Sequence, residues 1–269
     1  MKFSVLISVY FKEKPEYLSL ALDSIWDSQT IKPNEIVIVK DGLLTNDLDA
    51  IIDSFALKAP VNIVTLEKNV GLGLALAKGI GECSNDIIAR MDSDDISKAD
   101  RFEKQLNKIN EGYDLVSCWS AFFEDSIDNI IAIKKRPEHH KDILKLAKRR
   151  SPVGHAMSMY KKKSVLDAGN YRDVGFSYED YNLWVRMLHN DAKFYNIQEP
   201  LYYVRSSKEQ IGRRGGFGYM VKEIVQFWFF YRLGFYSFYN FMENTLTHSI
   251  IRIIPTALRK LFYKKIWQS

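Results

Sequence analysis

The sequence contains only two cysteines, Cys83 and Cys118, among its 269 residues. Two cysteines cannot build the multiple-disulfide framework of a small secreted domain, and the sequence has no pair of Cys-x-x-Cys motifs that could hold a structural zinc ion. The N-terminal run Met1–Val9 lacks the cleavage site of a secretory signal and is only as long as a strand. These absences favour a reducing compartment, and we expect the protein in the cytoplasm.

The sequence also lacks an uncharged apolar span of about 20 residues, which is the length that a transmembrane helix needs. Its most aromatic region, from Tyr219 onward, is interrupted by Arg232 and Glu243. After Glu243 there is no acidic residue, and the basic residues are Arg252, Arg259, Lys260, Lys264 and Lys265. Aromatic and basic helices of this kind are typical of peripheral attachment to a membrane surface, and packing of the aromatic rings on the rest of the protein is the alternative.

The composition is otherwise that of an ordinary globular protein. Hydrophobic residues make up 46% of the sequence and charged residues 26%, which excludes an intrinsically disordered chain. A length of 269 residues suffices for one well-buried core and a C-terminal extension. The formal net charge of +5 is modest, but the basic tail predicts a phosphate-bearing partner, either lipid or nucleic acid.

Strand and helix patterns alternate between residues 3 and 91. The predicted strands are 3–10, 35–40, 61–66 and 87–91, and the predicted helices begin at Pro15 and span 47–57 and 72–80. This alternation predicts a doubly wound α/β domain, in which ligands bind beyond the carboxyl ends of the strands. Later patterns predict helices over 98–110 and 163–168 and strands over 114–119, 155–160 and 201–205.

The fourth predicted strand ends in a run of carboxylates, Asp92, Asp94 and Asp95. Like charges at one strand end raise each other's pKa unless a cation neutralises them. Carboxylate oxygens, completed by water and phosphate oxygens, are the ligands that Mg²⁺ or Mn²⁺ prefers beside a nucleotide. The run therefore predicts a metal and diphosphate site, and the alternative is a solvated turn and helix cap. Asp41, at the end of the second strand, belongs to the same predicted edge.

A glycine-rich segment, Asn69–Gly79, follows the third strand. Gly71 and Gly73 are placed like dinucleotide-binding glycines, but the sixth position of Gly-x-Gly-x-x-Gly/Ala is Leu76. The first strand, where that motif belongs, is followed by no glycine loop, which argues against an NAD enzyme. The glycines instead predict close approach of the backbone to a ligand or close packing, with Lys78 on the helix that follows.

A second acidic pair, Glu179 and Asp180, opens a predicted helix whose apolar residues would embed it in the core. Acidic residues at a helix N-terminus are favoured by the helix dipole without any catalytic purpose. A carboxylate held there is equally suited to act as a general base in a pocket. Further along, the basic segment Gly212–Gly216 either closes over phosphates or is an ordinary surface loop.

With these residues in view, the sequence resembles the bacterial family 2 glycosyltransferases of the GT-A fold, in particular the branch that builds O-antigens and exopolysaccharides such as amylovoran. The resemblance covers residues 3–220 approximately. Its motifs are Ser8-Val9-Tyr10, Val39-Lys40-Asp41-Gly42, Asn69-Val70-Gly71-Leu72-Gly73, Ala89-Arg90-Met91-Asp92-Ser93-Asp94-Asp95, Arg101-Phe102-Glu103-Lys104-Gln105, Gly154-His155, Gly169-Asn170-Tyr171 and Glu179-Asp180-Tyr181-Asn182-Leu183-Trp184. The family's usual Ile-Pro-Val-Tyr-Asn and Glu-Asp-Tyr-Asp-Leu-Trp are altered here at Ser8, Phe11 and Asn182, which puts only substrate details in doubt.

The resemblance implies roles for these residues toward a UDP-sugar and a metal ion. Asp41 would accept a hydrogen bond from the uracil, Asp92 would contact the ribose or the metal, and Asp94 would ligate Mn²⁺ or Mg²⁺ bridging the diphosphate. Asp180, with Glu179 beside it, would take the proton from the acceptor hydroxyl. The further donor-binding residues would be Ser8, Tyr10, Asn69, Gly71, Lys78 and Arg90. The residues at the acceptor or a diphosphate would be His155, Trp184, Arg213 and Arg214.

The family's fold would be an α/β GT-A fold, a doubly wound mixed sheet with a C-terminal helical extension. The implied domains are a catalytic domain over 1–218, with a nucleotide-binding half to about residue 97, and an extension over 219–269. The implied reaction transfers galactose or glucose from a UDP-sugar to a GlcNAc- or GalNAc-diphosphate-polyprenol, with inversion to a β linkage. It would take place at the inner face of the cell membrane, with peripheral contact and without nucleic acid.

Two other classes of protein remain as alternatives to a glycosyltransferase. A nucleotidyltransferase would share the sheet and the carboxylates, but it should carry a basic glycine loop after its first strand, where this sequence has Phe11–Pro15. A non-catalytic module that binds a nucleotide sugar, a membrane or nucleic acid would explain the basic tail. It would leave Asp41, Asp92, Asp94 and Asp180 without a purpose.

Overall fold

The computed structural model describes residues 1–175, 178–206 and 216–253. Within these ranges the strands are β1 (Ser4–Val9), β2 (Glu35–Lys40), β3 (Val61–Thr65), β4 (Ile87–Met91), β5 (Ile96–Ser97), β6 (Leu115–Phe123), β7 (Ile130–Lys134), β8 (Met159–Lys161) and β9 (Phe194–Arg205). The helices are α1 (Pro15–Ile25), α2 (Asn46–Ala56), α3 (Leu72–Glu82), α4 (Arg101–Asn110), α5 (His140–Leu146), α6 (Lys162–Asp167), α7 (Glu179–His189), α8 (Phe217–Arg232) and α9 (Phe238–Ile253).

The strands of the described chain form one mixed sheet in the order β3-β2-β1-β4-β8-β6-β9-β5, with β7 paired to β6. β1 pairs in parallel with β2 and β4, and β2 pairs in parallel with β3. β8 then runs antiparallel to both β4 and β6, whereas β6 and β9 are parallel. The predicted alternation of the N-terminal half is therefore confirmed, and β8 is the point at which the sheet becomes mixed.

Hydrophobic side chains fill both faces of the sheet. Val5 and Ile7 of β1 point to the side covered by α1, α2 and α4, and Leu6 points to the side covered by α3, α7 and α8. Because successive side chains of a strand point to opposite faces, both sides of a strand buried in this way must be apolar. The arrangement confirms the doubly wound fold that the sequence predicts.

The second half departs from the predicted boundaries. β6 continues to Phe123 and β9 begins at Phe194, so both strands are longer than their predicted ranges 114–119 and 201–205. The apolar pattern of β9 is broken by Pro200, which lies where the pairing with β6 shifts register. A proline is tolerated in a strand at such an irregularity, and this explains why the pattern gave only the end of the strand.

One predicted strand is mostly wrong. The range 155–160 contains a strand only from Met159, because the preceding residues form a turn in which the N–H of Ser158 donates to the carbonyl of His155 at 3.2 Å. In addition, β7 and α5 lie in a stretch where the sequence shows no clear periodicity.

The carboxyl ends of the parallel strands set the position of the candidate site. β1, β2 and β4 are neighbours and parallel, so the residues that follow them, Tyr10, Asp41 and Asp92, emerge at one edge of the sheet. In the ranges given above, no helix is long and apolar enough to cross a membrane.

Candidate active site

The three carboxylates that follow β4 form a compact cluster. The ligand oxygens of Asp92, Asp94 and Asp95 lie within 4.8 Å of one another. The end of β9 fixes their loop, because the backbone N–H of Arg205 donates to Oδ1 of Asp95 at 2.8 Å and its Nε donates to the carbonyl of Asp94 at 3.0 Å. The N–H of Asp92 donates to the hydroxyl of Tyr202 at 3.1 Å.

The cluster carries more negative charge than its surroundings neutralise. Burial, reinforced by the carboxylates of Asp92 and Glu13, raises the pKa of Asp94 to about 7. Burial and the neighbouring Asp94 raise the pKa of Asp95 well above its ordinary value. An all-oxygen donor set with excess negative charge fits Mg²⁺ or Mn²⁺. Asp92 and Asp94 are only partly buried and could ligate the ion, whereas Asp95 is buried beneath Arg205.

Arg90, the penultimate residue of β4, lies directly beside this cluster. Its side chain is buried and forms an ion pair with Asp92. Its Nε and Nη1 atoms are buried and have no hydrogen-bond partner among the described residues. A buried guanidinium in this position supplies positive charge directly beside Asp92.

Asp41 ties the end of β2 to the glycine segment. Its Oδ1 accepts the N–H of Val70 at 2.7 Å and its Oδ2 accepts the N–H of Gly71 at 3.1 Å. Gly42 permits this approach, because its φ is +87° and a Cβ there would lie 2.6 Å from the backbone nitrogen of Asn69. The structure thus brings Asp41, Asn69 and Gly71 together and gives Asp41 an anchoring role that the sequence analysis missed.

The other predicted donor-side residues differ in their surroundings. Ser8 is half-buried in β1, and Tyr10 is 39% exposed just after that strand. Lys78 lies on the exposed side of α3, where its Nζ is 2.8 Å from Oε1 of Glu82. The structure therefore pairs Lys78 with its own helix and not with the acidic cluster, and its role toward a donor stays a prediction.

A cleft of about 300 Å³ lies between the start of α3 and the segment that leads into α7. The residues that line it are Val70, Gly71, Leu72, Gly73 and Leu74 on one side and Arg172, Asp173, Val174, Gly175 and Glu179 on the other. The two sides approach closely, since a Cβ on Gly73 would lie 3.1 Å from Cβ of Glu179. A glycine at position 73 therefore allows the second acidic pair to meet the glycine segment.

The electrostatics of Glu179 connect the two acidic loci. Burial, together with the carboxylates of Asp180 and Asp92, raises the pKa of Glu179 to about 7, and Arg90 opposes that shift. Charges act on each other in this way only when they are close or share a poorly solvated space. Glu179 lines the cleft, and it also lies near enough to Asp92 for the two carboxylates to influence each other's ionisation.

Asp180 directly follows Glu179 in α7, and its neighbours are Ser151 and Arg136. Its Oδ2 accepts a hydrogen bond from Oγ of Ser151 at 3.4 Å. The buried guanidinium of Arg136 has its strongest favourable charge interaction with Asp180, although burial still lowers the pKa of Arg136 to about 10. Nε of Arg136 has no hydrogen-bond partner within the described chain. Asp180 is thus a carboxylate with a hydroxyl donor and a cation beside it.

His155 joins the site, whereas Trp184 does not reach its surface. Nε2 of His155 is 2.8 Å from the hydroxyl of Tyr171, and burial next to Arg90 lowers the pKa of His155 well below its ordinary value. Trp184 is completely buried, with its ring centroid 6.0 Å from that of His155. It therefore supports the histidine from the core. The predicted residues Arg213 and Arg214 lie outside the described residues.

A buried carboxylate on α8, Glu223, was not found by the sequence analysis. Arg252 of α9 donates to it twice, from Nε at 2.7 Å and from Nη2 at 2.6 Å. The hydroxyl of Tyr178 also donates to Glu223, and Nδ1 of His248 lies 3.2 Å from it. Tyr178 directly precedes Glu179, so the C-terminal helices hold the start of α7. The sequence signal that could have indicated this buried carboxylate is a single glutamate within a stretch rich in aromatic residues.

Comparisons with known proteins agree on one family. A model described as Glycosyl transferase family 2 matches residues 4–168. The UDP-Gal:alpha-D-GlcNAc-diphosphoundecaprenol beta-1,3-galactosyltransferase of Escherichia coli is 40% identical, over 98% of this chain and 96% of that protein. The amylovoran biosynthesis glycosyltransferase AmsE of Erwinia amylovora is 34% identical, over 98% of both chains.

Solved structures show a similar fold at low sequence identity. Residues 1–349 of S. aureus TarS in complex with UDP-GlcNAc superpose with a TM-score of 0.66 at 18% identity, over 84% of this chain and 66% of that one. The longer TarS structure gives a TM-score of 0.64 at 20% identity, and this chain spans only 39% of it. Together with the family match, this likeness confirms the predicted GT-A fold.

Proposed function

This chain belongs to glycosyl transferase family 2 and is a glycosyltransferase, and from that premise we propose that it transfers galactose from UDP-galactose to a GlcNAc-diphosphate-polyprenol, with inversion to a β linkage. Glucose and a GalNAc-linked acceptor are the nearest variants of this reaction. The choice of galactose follows the name of the E. coli relative at 40% identity. The product would serve O-antigen, capsule or exopolysaccharide biosynthesis.

The donor would lie along the edge formed by the ends of β1, β2 and β4. Asp41 and the loop that it anchors would hold the uracil, and Arg90 would support the diphosphate site from below through its ion pair with Asp92. The carboxylates of Asp92 and Asp94 would hold Mg²⁺ or Mn²⁺. A divalent cation bound there stabilises the negative charge that develops on the departing UDP. The raised pKa of Asp94 supports this assignment, because it marks negative charge that a cation would relieve.

Asp180 would act as the general base. In one displacement, the acceptor oxygen forms a bond to the anomeric carbon while the bond from that carbon to the phosphate oxygen breaks, and its electron pair leaves with UDP. The proton of the acceptor hydroxyl passes to the carboxylate of Asp180. Attack from the face opposite the leaving group inverts the anomeric configuration. Asp180 is favoured over Glu179 because the hydroxyl of Ser151 and the charge of Arg136 stabilise its ionised form, which is the form that accepts a proton.

The observation that carries this proposal is the effect of Asp92 on Glu179. Together with the position of Glu179 in the lining of the cleft, it supports an arrangement in which the metal-binding acids and the acids of α7 lie near one another. The two groups of acids are the parts that a metal-dependent inverting transfer requires, one for the leaving group and one for the nucleophile.

We also propose a separate role for each of three segments of the chain. Residues up to about 97 would bind the nucleotide, residues from about 98 to 218 would bind the acceptor, and the helices after that would attach the protein to the membrane. A polyprenyl-linked acceptor resides in a membrane, so we place the reaction at the cytoplasmic membrane surface.

The proposal is tested with the full chain, Mn²⁺ and a water-soluble GlcNAc-diphosphate-alkyl acceptor. UDP-galactose should raise the melting temperature more than other UDP-sugars do, since a ligand that binds only the folded state stabilises it. UDP release should require the acceptor, and the coupling constant of the new anomeric proton should report a β linkage. Failure of every UDP-sugar to be turned over, or an α-linked product, would contradict the proposal.

A further inference from the structure

The helices α8 and α9 expose a row of large apolar side chains, which we call the C-terminal apolar face. Its members are 38% to 74% exposed, and apart from the adjacent pair Phe238 and Tyr239 they recur at intervals of three or four residues, so that each set lies along one side of its helix. The face consists of Phe217, Val221, Val225 and Trp228 on α8 and Phe238, Tyr239, Met242, Leu246 and Ile250 on α9.

The opposite sides of the same helices are already used for packing. Phe227 and Phe230 of α8 are completely buried, and Tyr181 of α7 packs edge-to-face on Phe230 at 5.1 Å. The aromatic region is therefore divided, with one part in the core and the other on the surface. The sequence analysis left two roles open for the aromatic region, core packing and membrane attachment. The buried rings serve core packing, and the exposed ones are available for attachment.

The exposed sides of the two helices adjoin each other. The ring of Trp228 lies 5.6 Å from that of Phe241, and the ring of Tyr231 lies 6.1 Å from that of Phe238. Each contact joins a member of the face, Trp228 or Phe238, to a half-buried ring of the other helix, so the two helices that carry the face pack against each other. Large exposed apolar side chains grouped on two adjoining helices mark an interaction surface.

The charges around the face match an anionic surface. Of the two acidic residues on these helices, Glu223 is buried against Arg252, and Glu243 pairs with Arg149 at 3.0 Å. The exposed charged residues of α8 are Lys222 and Arg232. Beyond residue 253 the sequence adds Arg259, Lys260, Lys264 and Lys265 and no acid. Basic groups beside an apolar helix face are the pattern that binds anionic lipid.

We propose that the C-terminal apolar face docks in the plane of an anionic lipid bilayer. The choice of a bilayer as partner rests on the proposed function, since a polyprenyl-linked acceptor would be reached from that surface. The helices that dock are the same helices that hold Tyr178 through Glu223, so the start of α7, with Glu179 and Asp180, is fixed to the docked unit. Docking would keep the acceptor side of the cleft next to the bilayer.

The test compares two double variants of the full chain. Val225→Glu with Leu246→Glu places charges on the face at positions 57% and 58% exposed, where no core contact is lost. The control, Leu20→Glu with Leu57→Glu, changes residues 48% and 90% exposed on α1 and just after α2, which cover the opposite side of the sheet. Binding is measured by cosedimentation with vesicles of phosphatidylethanolamine and phosphatidylglycerol, and transfer is measured with the water-soluble acceptor.

The face variant should bind these vesicles about tenfold more weakly than the wild type, because a charge on the buried side of an interfacial helix opposes insertion. The control should bind as the wild type does, and both variants should keep transfer to the soluble acceptor within about twofold. The inference would be overturned if the wild-type protein did not bind the vesicles, or if the face variant bound them with the affinity of the wild type. A wild-type dimer that the face variant dissociates without any change in vesicle binding would overturn it as well.

Failure of the proposed function gives a different result. If no UDP-sugar is turned over but vesicle binding still depends on Val225 and Leu246, the proposed reaction is contradicted and the proposed membrane docking is supported. If the protein transfers the sugar to the soluble acceptor but does not bind vesicles, the proposed membrane docking is contradicted and the proposed reaction is supported.

Discussion

The hydroxyl of Tyr178 donates a hydrogen bond to the buried carboxylate of Glu223, which links the start of α7 to the C-terminal helices. Arg252 from α9 pairs with the same carboxylate. Through this link, the helix that begins with Glu179 and Asp180 is held at its first turn by residues that lie far away in the sequence. The C-terminal helices are therefore part of the support of the candidate active site.

Replacing Glu223 should slow transfer without weakening donor binding. In Glu223→Gln the ion pair with Arg252 is lost, so the start of α7 is held less firmly. Small displacements of a catalytic group are costly, and we expect kcat to fall roughly tenfold or more while the affinity for the UDP-sugar stays unchanged. Calorimetric donor titration and steady-state transfer give the two values.

Glu243→Gln is the matched control for this change, because Glu243 lies on α9 and also pairs with an arginine, Arg149, at 3.0 Å. Its kcat should remain close to that of the wild type. Equal losses of kcat in the two variants would show that the helices act only through general stability.

The stability of the protein should depend on Glu223 at low pH. Hydrogen bonds from Arg252 and His248 lower the pKa of Glu223 from 4.5 to about 2, despite the opposing effect of burial. A folded-state pKa below the unfolded value gives stability that is complete above pH 4.5 and lost as the pH falls toward 2. This loss should be about 3 kcal/mol in the wild type.

Glu223→Gln should lack that component, so the difference in unfolding free energy between wild type and variant should shrink as the pH is lowered. Urea titrations between pH 2 and pH 6 measure it. A constant difference over this range would mean that Glu223 does not titrate with a lowered pKa.

Gly42→Ala should destabilise the anchor between Asp41 and the glycine segment. The φ of Gly42 is +87°, and a Cβ would lie 2.6 Å from the backbone nitrogen of Asn69. We expect a loss of about 2 kcal/mol or more in unfolding free energy, together with weaker donor binding. Gly81→Ala in α3 is the control, since a Cβ there meets nothing within 4 Å. A neutral Gly42→Ala would contradict the anchoring role.

Metal binding should depend on pH around neutrality. Because the pKa of Asp94 is raised to about 7, a proton competes with the cation as the pH falls below that value. Mn²⁺ affinity should therefore decrease from pH 8 to pH 6, a range in which an ordinary carboxylate would show no change. Asp94→Asn should bind Mn²⁺ weakly and without this dependence, whereas Asp47→Asn on the exposed side of α2 should behave as the wild type. Isothermal titration without donor provides the measurement.

The nucleotide-side half of the fold could be predicted from the sequence because its strands are buried on both faces. Ile87–Met91 is apolar except for Arg90, and Glu35–Lys40 has four apolar residues between its charged ends; the structure places β4 and β2 at these positions. The strands of the second half carry polar residues and a bulge. β9 includes Asn196 and Pro200, whose places are decided by pairing with β6 and not by a local pattern.

The candidate site shows the same limit. Carboxylates at strand ends can be seen in the sequence, so Asp92 and Asp94 were predicted. Their supports could not be, since Tyr202 and Arg205 are brought to the cluster by β9, and each contacts a residue 110 or 111 positions earlier. No local periodicity carries information about contacts at that separation.

The sharpest test of the assigned chemistry is transfer by Asp180→Asn, measured beside UDP-sugar binding by the same preparation. An asparagine keeps the size of the side chain but cannot accept the proton of the acceptor hydroxyl, so we expect transfer to fall by roughly 10² to 10⁴-fold with donor affinity nearly unchanged. Transfer that stays near the wild-type rate would remove Asp180 from the role of base and contradict the proposed mechanism.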